Sequence, residues 1–137
     1  MKLVEVIEEV YSTFLDTWQN DDATKDVLLV REGVRDDAPQ DAQPWARIAI
    51  RHATGEQASV GGLESLHRRD GTVHVQCFGR DVREANEMAE VATRAFEGKG
   101  DALWFYDVGP GNGEADTHWF RINVTAGFAY HVTRKAS

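Results

Sequence analysis

Residues 63–78 have the sequence LESLHRRDGTVHVQCF, and most of the predicted topology follows from them. The runs Leu63–Arg69 and Thr72–Phe78 are expected to be strands, and apolar and polar residues alternate from Thr72 to Cys77, as expected for a strand with one buried face. Between these runs lies Asp70-Gly71, a dipeptide favoured in tight type I′ turns. The sequence therefore predicts a β-hairpin whose turn consists of Asp70 and Gly71.

The register of this predicted hairpin assigns residues to its two faces. Val73, Val75 and Cys77 fall on one face, which we expect to be buried, so Cys77 is interpreted as a packing residue and not as a nucleophile. His67 and His74 fall opposite each other on the second face, which we expect to be solvated.

Two amphipathic helices are predicted on either side of the first group of strands. Met1 to about Asn20 carries apolar residues at three- and four-residue steps. A second helix begins at Asp81, where Asp81 and Glu84 form a capping-box-like start. Its alanine-rich apolar stripe ends at Gly98, which we expect to adopt a left-handed conformation.

Further strands are expected at Val27–Val30, Trp45–His52 and Ala102–Asp107. His118–Thr133 is expected to form one long bent strand or two, with Gly127 at a bend or bulge because glycine otherwise weakens a strand.

Three segments are predicted to lie outside strands. Glu32–Pro44 is rich in polar residues and is expected to be a connecting loop. Thr54–Gly62 offers nothing to a core, so we expect a mobile loop that orders on assembly. Gly109–Gly113 is expected to be a hairpin turn, since it lacks the residue order of a phosphate-binding loop.

Together these elements predict one domain, residues 1–137, of the α+β class. The expected order is α-β-β-β-β-α-β-β, with a mostly antiparallel sheet and two helices packed on one face.

Composition narrows the classes of function. Lys and Arg number 15 against 23 Asp and Glu, for a formal net charge of -8, so extensive binding of nucleic-acid phosphates is disfavoured. The single cysteine excludes an internal disulfide. No apolar run approaches the roughly 20 residues that span a bilayer, and glutamates interrupt the N-terminus where a signal peptide would need an apolar region. We expect a cytosolic product.

No catalytic, cofactor-binding or metal-binding residues are predicted. The expected pair of His67 and His74 supplies two ligands where zinc needs three or four. The paired acids Asp36-Asp37 and Glu114 with Asp116 do not follow the spacing of a calcium loop and are interpreted as exposed loop residues.

The run RRDGTVHVQCF at residues 68–78, followed by an alanine-rich helix that ends in Arg94-Ala95-Phe96, resembles the central segment of the tail terminator proteins of long-tailed bacteriophages. The similarity of architecture extends over nearly the whole chain, and its motifs lie within Leu63–Phe96.

This resemblance implies a homo-oligomeric ring, usually a hexamer, that caps the tail tube, stops its polymerisation and offers a surface to the head-tail connector or stopper protein. It implies a place at the tail-neck junction of the virion, with DNA passing through the channel without sequence-specific binding, and with no cofactor, membrane or enzymatic activity. The residues expected at the subunit or tube interface are Gln57, Ser59, Val60, Arg68, Arg69 and Asn112.

Other functions stay open at this point. Another neck or minor tail protein would share the size, acidity and ring assembly. A small enzyme would use His67, His74 or His118 as a general base. A ligand-binding or dimerisation module would use the aromatic strand Leu103–Tyr106.

Overall fold

A computed structural model places two helices and seven strands along the chain. The elements are α1 (Leu3–Trp18), β1 (Leu28–Arg31), β2 (Trp45–His52), β3 (Glu56–Gly61), β4 (Glu64–Gly79), α2 (Val82–Phe96), β5 (Leu103–Pro110), β6 (Glu114–Ala115) and β7 (Phe120–Lys135). The structure describes residues 2–32, 43–52, 56–61, 64–115 and 118–135, with the backbone alone for 56–61, 64–66 and 133–135. Most of the predicted loop Glu32–Pro44, the acids Asp36 and Asp37, and Asp116 lie outside these residues.

All seven strands belong to one sheet. Its main order is β1-β2-β4-β7-β5, with β3 added to β4 and β6 added to β7. Among the strands that the structure describes, only β1 and β2 pair in parallel, and the other pairings are antiparallel. The predicted α+β class, with its mostly antiparallel sheet, is confirmed.

The predicted hairpin at Asp70-Gly71 is wrong. Both residues lie inside β4, a continuous strand that pairs with β7 over all sixteen residues, from Glu64 with Lys135 to Gly79 with Phe120. A β-carbon built on Gly71 would lie 2.2 Å from Cζ of Phe128 and 2.6 Å from the carbonyl oxygen of Arg51. Glycine is needed here for close packing between strands and not for a turn.

The prediction of a mobile loop at Thr54–Gly62 is also wrong over the residues that the structure describes. Residues Glu56–Gly61 form β3, which pairs antiparallel with Glu64–Arg68 of β4. Pairing with β4 satisfies the amide and carbonyl groups that point toward that strand, so this polar segment is held in place without core side chains. The count of four strands before α2 is therefore right, although β3 replaces one of the strands predicted at the false hairpin.

Two glycine predictions near the end of the chain are wrong for related reasons. The β4–β7 register continues without a shift through Gly127, where a β-carbon would lie 2.5 Å from Cε2 of Tyr106. The irregularity lies instead in β5, between Tyr106 and Gly109, and Asp107 there has a φ of 50°. Gly109–Gly113 is not a hairpin turn, because β5 and β6 on either side of residues 111–113 both pair with β7.

The helices begin and end close to the predicted positions. The Asp81 side chain accepts a hydrogen bond from the Glu84 N–H at 2.9 Å, which caps α2. After α2, Gly98 has a φ of 71°, the expected left-handed conformation. No helix within the described residues is both long and apolar enough to cross a membrane.

The core lies between the helices and one face of the sheet. Phe14 of α1 stacks on Phe96 of α2, with ring centroids 5.5 Å apart. Val73, Val75 and Cys77 of β4 are fully buried in the same cluster, as predicted. The opposite face of the sheet is left without a helical layer among the described residues, and it becomes the main candidate surface.

Candidate functional site

The face of the sheet opposite the helices, here called the open face, is built by strand residues that alternate with the core. Its small buried cluster contains Val30, Trp45 and Phe78 and no helical residue. Trp45 pairs with Phe78 in the β2–β4 register, and the two rings stack with centroids 4.2 Å apart. Such stacks contribute about 0.5–1.5 kcal/mol beyond burial, so the pair helps to stabilise this end of the face. The members of the open face are Trp45, Arg47, Ala49, Arg51, Arg68, Asp70, Thr72, His74, Gln76, Phe78, Trp104, Tyr106, Arg121, Asn123 and Thr125.

The centre of the open face is polar. Arg47, Gln76 and Asn123 lie side by side across β2, β4 and β7, and each is half-buried. The guanidinium of Arg47 lies 5.2 Å from the ring centroid of Trp45. The side-chain oxygen of Asn123 is buried and has no hydrogen-bond partner within the described part of the chain. This row can donate to and accept from an external polar surface.

The far end of the open face combines an ion pair with two aromatic rings. Nε of Arg68 donates to Oδ1 of Asp70 at 2.9 Å, and this bond raises the pKa of the arginine. The same guanidinium lies 5.7 Å from the ring centroid of Trp104 and 5.8 Å from that of Tyr106. Asp70 therefore orients a cation over aromatic faces, an arrangement with a favourable electrostatic term.

The structure has no hairpin tip at Asp70-Gly71, but it brings five of the six predicted interface residues onto the neighbouring strands β3 and β4. Three of them, Gln57, Ser59 and Val60, belong to β3. Arg68 and Arg69 lie within β4, where alternation places them on opposite faces of the sheet. The Nε of Arg69 is buried without a hydrogen-bond partner among the described residues. Asn112 is exposed in the segment between β5 and β6.

The histidines proposed as a pair or as bases do not converge. His67 and His74 lie on the same strand seven residues apart, so they point to opposite faces about 23 Å from each other. His118 precedes β7 and is exposed. Among the residues described here, no group of three or more His, Cys, Asp and Glu is placed to hold a metal ion.

Cys77 is fully buried, and burial raises the pKa of its thiol to about 12. A protonated thiol in a core is a poor nucleophile, because the thiolate is the reactive form. The arrangement of Cys77 therefore supports packing and no nucleophilic chemistry.

Sequence reasoning did not assign Arg47, Gln76 and Asn123 to one surface. Two local signals were present: Ile48 and Ile50 alternate with Arg47 and Arg51 in β2, and Val75 and Cys77 alternate with Gln76 in β4. Each separates a buried from an exposed face of its own strand. The identity of the strands beside β2 depends on long-range pairing, which no local sequence pattern predicts.

Comparison with known proteins adds information on the fold. No protein-family model matches the sequence, and no curated protein matches it. The chain is similar in fold to a solved structure with a TM-score of 0.59, over 94% of this chain and 96% of that chain, at 14% sequence identity. That protein carries a serial designation that states no function. At such low identity the similarity concerns the fold alone.

Proposed function

We propose that this chain is a ring-forming structural protein, the tail terminator of a long-tailed bacteriophage. In this role its ring, of about six subunits, caps the tail tube, stops further polymerisation and presents a surface to the connector or stopper protein. The proposal rests on the sequence resemblance at residues 68–96 and on one feature of the sheet, a three-stranded extension with open edges.

This extension, here called the arm, consists of β3, Glu64–Arg69 of β4 and His131–Lys135 of β7. On one side of the arm, β3 is bonded to β4 alone among the described strands. On the other side, β5 pairs with β7 only as far as Tyr130. Both edges of the arm therefore have backbone groups that no other described strand pairs with.

Open edges of this kind favour pairing with another chain unless they are covered. In a closed ring each subunit covers an edge of its neighbour, and a ring, unlike a filament, ends its own growth. The arm supports the proposal because it provides the surface that such a contact needs. The predicted interface residues Gln57, Ser59, Val60, Arg68 and Arg69 lie on it.

The charge balance is compatible with a DNA channel. The net charge of -8 repels the DNA backbone, so DNA can pass without being held by phosphate contacts.

A tube-length assay tests this function. Purified tail tube protein is polymerised with and without the chain, and tube lengths are measured by negative-stain electron microscopy, which also records closed rings. The expected result is short tubes of limited length in the presence of the chain. Equal tube lengths with and without the chain would contradict the proposal.

The arm supplies a matched variant for the same assay. Deletion of residues 57–60 removes the centre of β3 and leaves α1, α2 and the core strands intact. We expect this variant to unfold cooperatively and yet to lose ring formation and tube capping. Full capping by the deletion variant would show that the arm is not the interface.

Another neck protein is the alternative within the same class, since it would also form rings. It would leave tube length unchanged in this assay, whereas a terminator limits it.

A further inference from the structure

Helix α1 carries an acidic stripe, made up of Glu5, Glu8, Glu9 and Asp16. All four side chains are exposed, and Leu3–Trp18 contains no lysine or arginine. Residues 5, 9 and 16 follow one line along the helix surface, with residue 8 beside it. No ion pair involves any of the four within the described part of the chain.

Part of the stripe opposes the stability of its own helix, although Glu5 also lies in the first turn, where its side chain accepts from the Lys2 N–H at 3.3 Å. Glu5 and Glu9 are like charges at i,i+4, a spacing at which they repel each other. Asp16 lies in the last turn, where the negative end of the helix dipole disfavours a carboxylate and no basic residue is present. A cationic surface of another molecule would relieve both effects.

The open face of the sheet has the opposite character at its centre. Three of its arginines already have a carboxylate within the chain: Arg51 pairs with Glu32, Arg68 with Asp70 and Arg121 with Glu114. Arg47 forms no salt bridge among the described residues, although it interacts electrostatically with the Glu32 carboxylate. Its cross-strand partner is Gln76, and His74 and Asn123 lie next to Gln76 on the same face. Among the described arginines of the open face, Arg47 is the one without a salt bridge.

We propose that the acidic stripe of one subunit docks on the open face of the next copy of this chain, with its carboxylates around Arg47. The proposal rests on the proposed function and names the two surfaces that meet in the ring. The dimensions agree, because sixteen helical residues extend about 24 Å and the eight residues of β2 about 26 Å.

Such a contact joins two different surfaces. The helices and the open face lie on opposite sides of the sheet, so each subunit uses its helix on one neighbour and its sheet on the other. Contacts of this heterologous kind build rings when the rotation between subunits closes. The arm and the stripe then contribute separate parts of one interface.

Charge exchange tests the contact. Arg47→Glu and Glu9→Arg are prepared singly and together in the full chain, and assembly is followed by sedimentation velocity across a concentration series at low and high salt. Each single variant is expected to weaken assembly at least about tenfold, and the double variant to restore much of it. Salt is expected to weaken assembly of the wild type, because exposed charges are screened.

Matched controls separate docking from folding. Arg83→Glu reverses an exposed charge on α2, outside both surfaces, and is expected to leave assembly unchanged. Arg47→Gln removes the charge and keeps a polar side chain, and it is expected to weaken assembly as Arg47→Glu does. If Arg47→Glu unfolds, Arg47→Gln replaces it in the assembly measurement. Urea unfolding of every variant checks the fold.

Two outcomes would overturn the docking model: wild-type assembly by Arg47→Glu and Arg47→Gln, or single losses that the double variant does not restore. A wild-type chain that stays monomeric at every concentration, alone and with tube protein, would overturn it as well. The tube-length assay keeps this inference apart from the proposed function. If the wild type limits tube growth while the charge variants assemble normally, the docking model fails and the function stands.

Discussion

Gly71 of β4 lies beneath the ring of Phe128, its cross-strand partner in β7. The space that a side chain would need is taken by the ring on one side and by the Arg51 carbonyl oxygen of β2 on the other. Because that oxygen belongs to the backbone of a paired strand, it cannot move aside without breaking the sheet. The glycine thus permits close packing at the junction of three strands.

Gly71→Ala is expected to destabilise the protein by about 1–3 kcal/mol, the usual cost of forcing an extra carbon into a packed interior. The measurement is urea unfolding followed by circular dichroism. Gly109→Ala is the control, since a β-carbon there meets nothing within 4 Å and its effect should stay within about 0.5 kcal/mol. Equal effects of the two substitutions would contradict the packing seen at Gly71.

The Cys77 thiol gives a prediction for alkaline pH. Burial raises its pKa from 9.0 to about 12, so the unfolded chain loses this proton at a lower pH than the folded chain. The unfolded state then binds fewer protons, and the contribution of the thiol to stability is present below about pH 9 and is lost as pH rises toward 12. The stability advantage of the wild type over Cys77→Ala should therefore narrow as pH rises from about 9 toward 12.

The same residue can be tested chemically. Ellman's reagent should not modify Cys77 in the native protein and should modify it rapidly in urea. In the folded protein the reagent cannot reach the buried sulfur, and the thiol is not ionised to the reactive thiolate. Fast modification of the native protein would show that the core opens around this strand.

The cap of α2 gives a prediction at a single side chain. Asp81→Ala removes the acceptor for the Glu84 N–H and should cost about 1 kcal/mol in urea unfolding, whereas Asp81→Ser should retain most of the stability. Glu90→Ala, an exposed position of the same helix, is the matched control and should have little effect.

An ion pair between Asp21, which follows α1, and Arg94 of α2 predicts that acid destabilises the protein. Arg94 donates to the Asp21 carboxylate at 2.6 Å, and this bond, followed by one from the Ala23 N–H, holds the pKa of Asp21 below its ordinary value of 3.8. A lowered folded pKa means that the stabilisation is present above about pH 3.8 and is lost as pH falls through the folded value.

Asp21→Asn should therefore destabilise the protein at neutral pH, and its difference from the wild type should shrink toward zero in strong acid. Denaturant midpoints measured from neutral to acid pH check this. Asp22→Asn, at a side chain 97% exposed, should show little difference from the wild type throughout. A constant difference for Asp21→Asn across the whole series would rule out the ionic contribution.

Local signals in the sequence predicted the local structure well. Both helices, the bounds of β2 and the burial of Cys77 follow from periodicity and capping, which depend on residues a few positions apart. The errors at Gly71 and Gly127 share another origin. The sequence does not distinguish a glycine that is required for the close approach of a neighbouring ring from one that is required for a turn. Only the long-range pairing of the strands distinguishes the two cases.

The candidate surface was less predictable than the fold. Arg68 and Arg69 were expected to share a hairpin tip, and their true relation, on opposite faces of one strand, depends on the absence of that turn. Arg47 and Gln76 are distant in sequence and adjacent in the sheet. The β3 strand was missed because its residues lack the alternating apolar pattern by which strands are detected.

The full-length pairing of β4 with β7 also constrains how the molecule folds. The nearest pair in this ladder, Gly79 with Phe120, closes a long loop, and the most distant pair joins Glu64 to Lys135. The chain must lose conformational entropy to close these loops before the strand contacts stabilise it. Topologies of this kind therefore fold slowly compared with helical domains of similar length. Helix α2 lies wholly within that loop and can form early, as a local element. We expect the central ladder, which gives the finished subunit its rigidity, to be among the last parts of the structure to be acquired.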